Sequence, residues 1–142
     1  MRHILLFMLA IPVVAALGRR VSDEPAPIGD WTGTSLCLQG KPVCKDEQVV
    51  YHIATRAAAD SAAPAGLPLQ VTANKLVNGV EEDMGTFACT WVAKAGRLTC
   101  PMPPQYAKGE WRFERHGARM SGGLWLDGRG QFRVVELQQA RH

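Results

Sequence analysis

From Trp31 to the C-terminus, apolar and polar positions alternate in short runs separated by Gly, Pro, Asn and Asp. Alternation with period two is the mark of strands whose side chains point to opposite faces of a sheet in turn. Eight strands are predicted, at 31–38, 47–55, 68–77, 80–92, 97–102, 109–115, 118–126 and 131–138. Asn78-Gly79 signals a two-residue hairpin, because both central residues of a type I′ turn need positive φ. His116-Gly117 and Asp127-Gly128 suit similar turns, with Gly130 leaving the register of the last hairpin open.

Register tests these elements more strictly, since a one-residue slip sends every side chain to the other face. With His116-Gly117 as the loop, Arg115 opposes Ala118, Phe113 opposes Met120 and Trp111 opposes Gly122. Around Lys94-Ala95-Gly96, setting Cys89 against Cys100 also sets Trp91 against Leu98 and Phe87 against Met102. Of the three pairings open to four cysteines, this register favours Cys89–Cys100, leaving Cys37–Cys44 to clasp the first hairpin across Gly40-Lys41-Pro42.

Eight antiparallel strands close into a barrel or stack as a sandwich. Hairpin follows hairpin without a Greek-key crossover, which favours an all-β, up-and-down barrel that leaves no free sheet edge; the sandwich is the alternative. The Ala-rich stretch 55–66 shows no apolar face at helical spacing and reads as the one long connection, a candidate contact surface.

The N-terminus departs from this pattern. Arg2, an apolar run from Ile4 to Leu17, and small residues at Ala15, Ala16 and Gly18 have the layout of a secretory signal peptide over 1–18. The run is short for a membrane span and Pro12 interrupts it. Residues 19–30, polar and Pro-bearing, read as a flexible exposed leader, and 31–142 as a single domain, secreted or periplasmic, with no membrane span in the mature chain. An even count of four cysteines in such a compartment points to disulfides. Their spacing lacks the C-x-x-C pairs of a zinc site. The formal charge of +3 is scattered, so nothing directs the chain to nucleic acid.

Gly29-Asp30-Trp31 forms a G-x-W element at the first strand, ahead of an eight-stranded meander. In this the chain resembles the lipocalin-like, or calycin, barrels. The resemblance implies that Trp31 packs at the barrel base beneath an arginine of the last strand such as Arg133. The segments Trp31-Thr-Gly-Thr-Ser-Leu-Cys37, Cys44-Lys-Asp-Glu-Gln-Val-Val-Tyr-His52, Asn78-Gly79 and Asp83-Met-Gly-Thr86 are also similar to a set of small exported bacterial proteins of unassigned function. That likeness implies compartment and fold, and no activity.

Candidate chemistry is sparse. Asp46, Glu47 and His52 invite a general acid–base reading, but strand phase puts Glu47, Val49, Tyr51 and Ile53 on one face and Gln48, Val50 and His52 on the other. They read as a polar hairpin end and a surface or rim histidine. Glu81, Glu82 and Asp83 read as a solvated edge, since a calcium site draws six or more oxygens from a shaped loop. Ser35, Ser61 and Ser121 have no nucleophile-elbow context, and Gly122-Gly123 lets a strand bend. No cofactor or metal is predicted.

The aromatics Phe87, Trp91, Trp111, Phe113 and Phe132 are expected on the inward face, filling the barrel or lining an apolar pocket of small-ligand size. The leading expectation is therefore an exported, non-enzymatic binding module for a small apolar ligand. The alternative is an inhibitor-like protein that meets an exported partner through its rim, through residues 19–30 or through the 56–67 loop. A hydrolase using His52 with Asp46 ranks last.

Overall fold

The computed structural model describes residues 23–57 and 66–141; the segment read as a signal peptide and most of the 56–67 loop lie outside them. Eight strands form in the predicted order: β1 (Gly29–Cys37), β2 (Glu47–Thr55), β3 (Leu67–Val77), β4 (Val80–Val92), β5 (Arg97–Pro101), β6 (Gly109–His116), β7 (Arg119–Leu126) and β8 (Gly130–Gln139). Each pairs antiparallel with the next, and β8 returns to β1 to close an up-and-down barrel.

The turns show why the chain reverses where it does. Asn78 and Gly79, at φ 52° and 77°, join Val77 to Val80 with the two positive φ angles of a type I′ turn. At the β6–β7 hairpin the expected register is corrected. His116 pairs with Arg119, so Gly117-Ala118 is the loop, and Phe113 faces Gly122 while Arg115 faces Met120 and Trp111 faces Leu124. Positive φ falls on Gly117 alone, which spares His116 the left-handed backbone that the other loop demands of it. The slip is two residues, so every side chain keeps its face, and Phe113 and Met120 are both buried.

Between β4 and β5 the register is the expected one, with Trp91 opposite Leu98, across a single 3-10 turn at Ala93–Ala95. Phe87 and Met102 do not enter that ladder, because β5 ends at Pro101 and Met102 donates its N–H to the Gly109 carbonyl instead. Both bridges form, Cys37–Cys44 with a Cα separation of 6.1 Å and Cys89–Cys100 with 4.2 Å. Two disulfides fit an oxidising extracellular or periplasmic environment.

Inward positions alternate along every strand and meet in one core. Trp31, Val49, Leu69, Leu98 and Val135 are fully buried, with Ile53, Trp91, Met120 and Leu137 packed among them. Each such aliphatic side chain contributes about 1.5–3 kcal/mol on leaving water. These residues fill the end of the barrel where β1 begins, the base.

The base is sealed by residues that the sequence reads as a free leader. Pro27 is buried, its carbonyl accepts a hydrogen bond from Trp31 Nε1 at 2.9 Å, and Gly29-Asp30 already belong to β1. The arginine over the Trp31 ring is Arg115 of β6, not Arg133 of β8. Arg133 pairs with Cys37, at the opposite end of β1 from Trp31, so it cannot reach the base.

Candidate functional site

The opposite end, the mouth, is where β1, β3, β5 and β7 finish. Here the inward residues do not meet, and a cavity of about 230 Å³ remains. Its apolar wall is a run of rings. Tyr51 meets Phe113 edge-on at 6.0 Å, Phe113 stacks with Trp111 at 6.2 Å, and Trp111 meets Phe87 edge-on at 6.3 Å. Offset and edge-to-face contacts of this kind hold such rings in fixed places. Met84, Met102 and the half-exposed Tyr106 also line it, and Val71 and Ala73 of β3 add apolar lining beside their cross-strand partners Phe87 and Tyr51.

Of the five aromatics expected inside, Phe87, Trp111 and Phe113 line this cavity. Trp91 points inward too, but it is 2% exposed and belongs to the filled core. Phe132 is corrected to the outside. The β7–β8 register shifts beside Leu124, which pairs with Arg133 while Trp125 pairs with Gln131. Phe132 is thereby left without a partner on β7, though its carbonyl accepts from the Leu38 N–H just past β1, and its ring lies against Gly40 and under the Arg129 guanidinium at 5.0 Å. Arg133 lines the cavity and Val135 and Leu137 are buried, so alternation along β8 puts Phe132 on the other face.

One wall is polar. Arg133 approaches Glu47 at 3.6 Å, donates to Ser35 Oγ at 3.0 Å, and donates to the Lys45 carbonyl at 3.1 Å. The pair sits partly withdrawn from water, so its charges satisfy each other instead of projecting freely. Tyr51 is almost fully buried beside them, and its hydroxyl has no protein partner among the described residues. Burial pushes its phenol well above the ordinary range, Arg133 opposes that and Glu47 adds to it, so the group stays protonated. Trp111 Nε1, on the same cavity, is likewise without a partner.

Strand phase already placed Glu47 and Tyr51 on one face. What it could not give was that this face opens onto a cavity, nor that Arg133 arrives from across the β1–β8 closure to meet Glu47 and its β1 neighbour Ser35.

The residues weighed for catalysis are not brought together. Asp46 accepts from the Cys37 N–H and from Lys41 Nζ, both at 2.8 Å; the Lys41 hydrogen bond, then that of Cys37, holds its carboxyl below the usual range. His52, towards the base on the outer face, has Nδ1 2.7 Å from Asp30 Oδ1 and Nε2 2.7 Å from Glu81 Oε1. The hydrogen bond to Asp30 is the largest effect and raises its pKa; desolvation, next in size, lowers it, and the hydrogen bond to Glu81 raises it again, leaving a net rise. Glu82 pairs with Lys75 at 3.7 Å and Asp83 accepts from the Gly85 N–H, so of the acidic run only Glu81 reaches beyond the β3–β4 hairpin, to His52.

No family model matches the chain, and no curated protein or solved structure is significantly similar to it. No helix among the described residues is long and apolar enough to cross a membrane.

Proposed function

We propose that this protein is an exported, lipocalin-like binding barrel that holds a small, largely apolar ligand in its mouth. The reading is carried by the cavity of about 230 Å³, walled by Tyr51, Phe113, Trp111 and Phe87, at one end of a barrel whose other end is solid. A filled base with an open, ring-lined mouth is the arrangement small barrels use to hold one small molecule. The signal-like segment 1–18 and the two disulfides support export. The His52 imidazole, which the hydrolase reading needs, is engaged on the outer wall by Asp30 and Glu81, away from the cavity.

A partner-inhibiting role for residues 19–30 carries a cost on this geometry. For that segment to enter a cleft, residues 24–28 would have to leave the base and strand the donors of Trp31 and Arg115 that bond Pro25, Ala26 and Pro27. The binding reading needs no such rearrangement.

Titration of delipidated protein with a polarity-sensitive hydrophobic dye and small aromatic compounds tests the proposal. Saturable binding with a change in Trp emission is expected, since Trp111 lines the cavity. A flat response to every probe would remove the ligand reading.

A further inference from the structure

The mouth cavity is small, and its size limits the ligand. A dry cavity of about 150 Å³ takes a benzene ring, so one of about 230 Å³ takes roughly nine or ten non-hydrogen atoms. A long-chain fatty acid carries about twice that many and would leave much of its chain outside the mouth.

The polar wall limits it further. The Arg133 guanidinium is already committed to Glu47, Ser35 and Lys45, so an anion would have to displace Glu47 to be paired. A cation would have to displace Arg133 from Glu47. Neither exchange is favoured where charges are partly withdrawn from water. What the wall leaves over is donors: the Tyr51 hydroxyl and Trp111 Nε1 have no acceptor among the described residues. Trp111 Nε1 is the buried one of the two, and a donor held on a cavity wall without a partner is one that a ligand acceptor satisfies. Tyr51 is fixed for the task by its edge contact with Phe113 and by its place in β2, between Trp31 on one neighbouring strand and Ala73 on the other.

We propose that the mouth takes a compact, uncharged molecule with an aromatic or branched aliphatic body and one carbonyl-type oxygen, and that this oxygen accepts a hydrogen bond from the Tyr51 hydroxyl. The inference rests on the binding reading above and deepens it by assigning Tyr51 as the residue that sets specificity.

Calorimetric titration with three molecules of matched size separates the possibilities: acetophenone, which carries the acceptor; cumene, the same shape without it; and benzoate, which replaces it with a charge. Palmitate serves as the long-chain comparison. Acetophenone is expected to bind about fivefold to tenfold tighter than cumene, the ratio one hydrogen bond supports, and tighter than benzoate or palmitate. Tyr51→Phe, with its fold checked by circular dichroism and its disulfide map, should erase the acetophenone advantage and leave cumene unchanged. Equal binding of acetophenone and cumene to the natural protein, or an advantage that survives in Tyr51→Phe, overturns the Tyr51 anchor while the pocket stands. Tightest binding of benzoate or palmitate overturns the uncharged, compact ligand. If none of the four binds, the binding reading itself fails along with the anchor.

Discussion

The Arg115 guanidinium lies over the Trp31 ring, 5.2 Å from its centroid, and from there donates to the carbonyls of Pro25 and Ala26, both at 2.9 Å. One side chain thus covers the floor of the core and ties down the segment that precedes β1. Its Nε also donates to the Gly117 carbonyl at 2.8 Å, so it braces the β6–β7 turn. Arg115→Ala is expected to destabilise the fold by about 2–4 kcal/mol, through the cation–π contact and the carbonyls left without donors. Urea denaturation followed by Trp emission measures it. A change below about 0.5 kcal/mol would show that the base is sealed by other contacts.

Gly33 tests the closure of the barrel. A Cβ added there would come within 1.8 Å of the Glu136 carbonyl oxygen on β8, a backbone atom that no rotamer change can move away. Gly33→Ala should cost about 3 kcal/mol or more, because the β1–β8 seam must part to admit it. Gly79→Ala is the control: nothing lies within 4 Å, and only its φ of 77° is strained, so about 1–2 kcal/mol is expected. Comparable losses for both would mean the seam has slack.

The two bridges span sequence separations of 7 and 11 residues. Loop-closure entropy for loops of that size amounts to about 2–3 kcal/mol each. Replacing the Cys89–Cys100 pair by Ala should lower stability by about that amount plus the packing lost, since both sulfurs lie in the core. The Cys37–Cys44 pair, in the mouth loop, should lose little beyond the entropic part. Thermal melts of the two double variants decide between these outcomes.

His52 gives the fold a pH dependence. Its folded pKa is raised by Asp30 and Glu81, so the stabilisation is fully present below the unfolded value of about 6.5 and is lost as pH rises through the folded value. The Tm advantage of the natural protein over His52→Asn should therefore be larger at about pH 5.5 than at about pH 9. An advantage that grows with pH would show that the imidazole is not the charged partner of those carboxylates.

Ala73 lines the mouth cavity and is 5% exposed. Ala73→Leu should occupy that space with a change in stability of no more than about 1 kcal/mol, burial gained offsetting crowding. Binding of small aromatic probes should fall by at least tenfold. Retained affinity would place the ligand elsewhere on the protein.

Much of this architecture is written locally in the chain. Alternation of apolar and polar residues placed all eight strands to within one or two residues, Asn78-Gly79 fixed its hairpin through the φ angles it tolerates, and the Trp91–Leu98 register carried the Cys89–Cys100 bridge with it. Such features depend on neighbours a few residues apart, so the sequence by itself determines them.

Three things only the tertiary structure decided. Alternation cannot distinguish registers that differ by two residues, since both keep every side chain on its face, and the β6–β7 pairing is of that kind. The bulge that leaves Phe132 without a β7 partner is settled by how β7 and β8 fit together. Closure of β8 onto β1 then brings Arg133 to Glu47 and Ser35 at the mouth and leaves Arg115 for Trp31 at the base. A cavity is a property of the whole ring of strands, because its volume is whatever the inward side chains fail to fill.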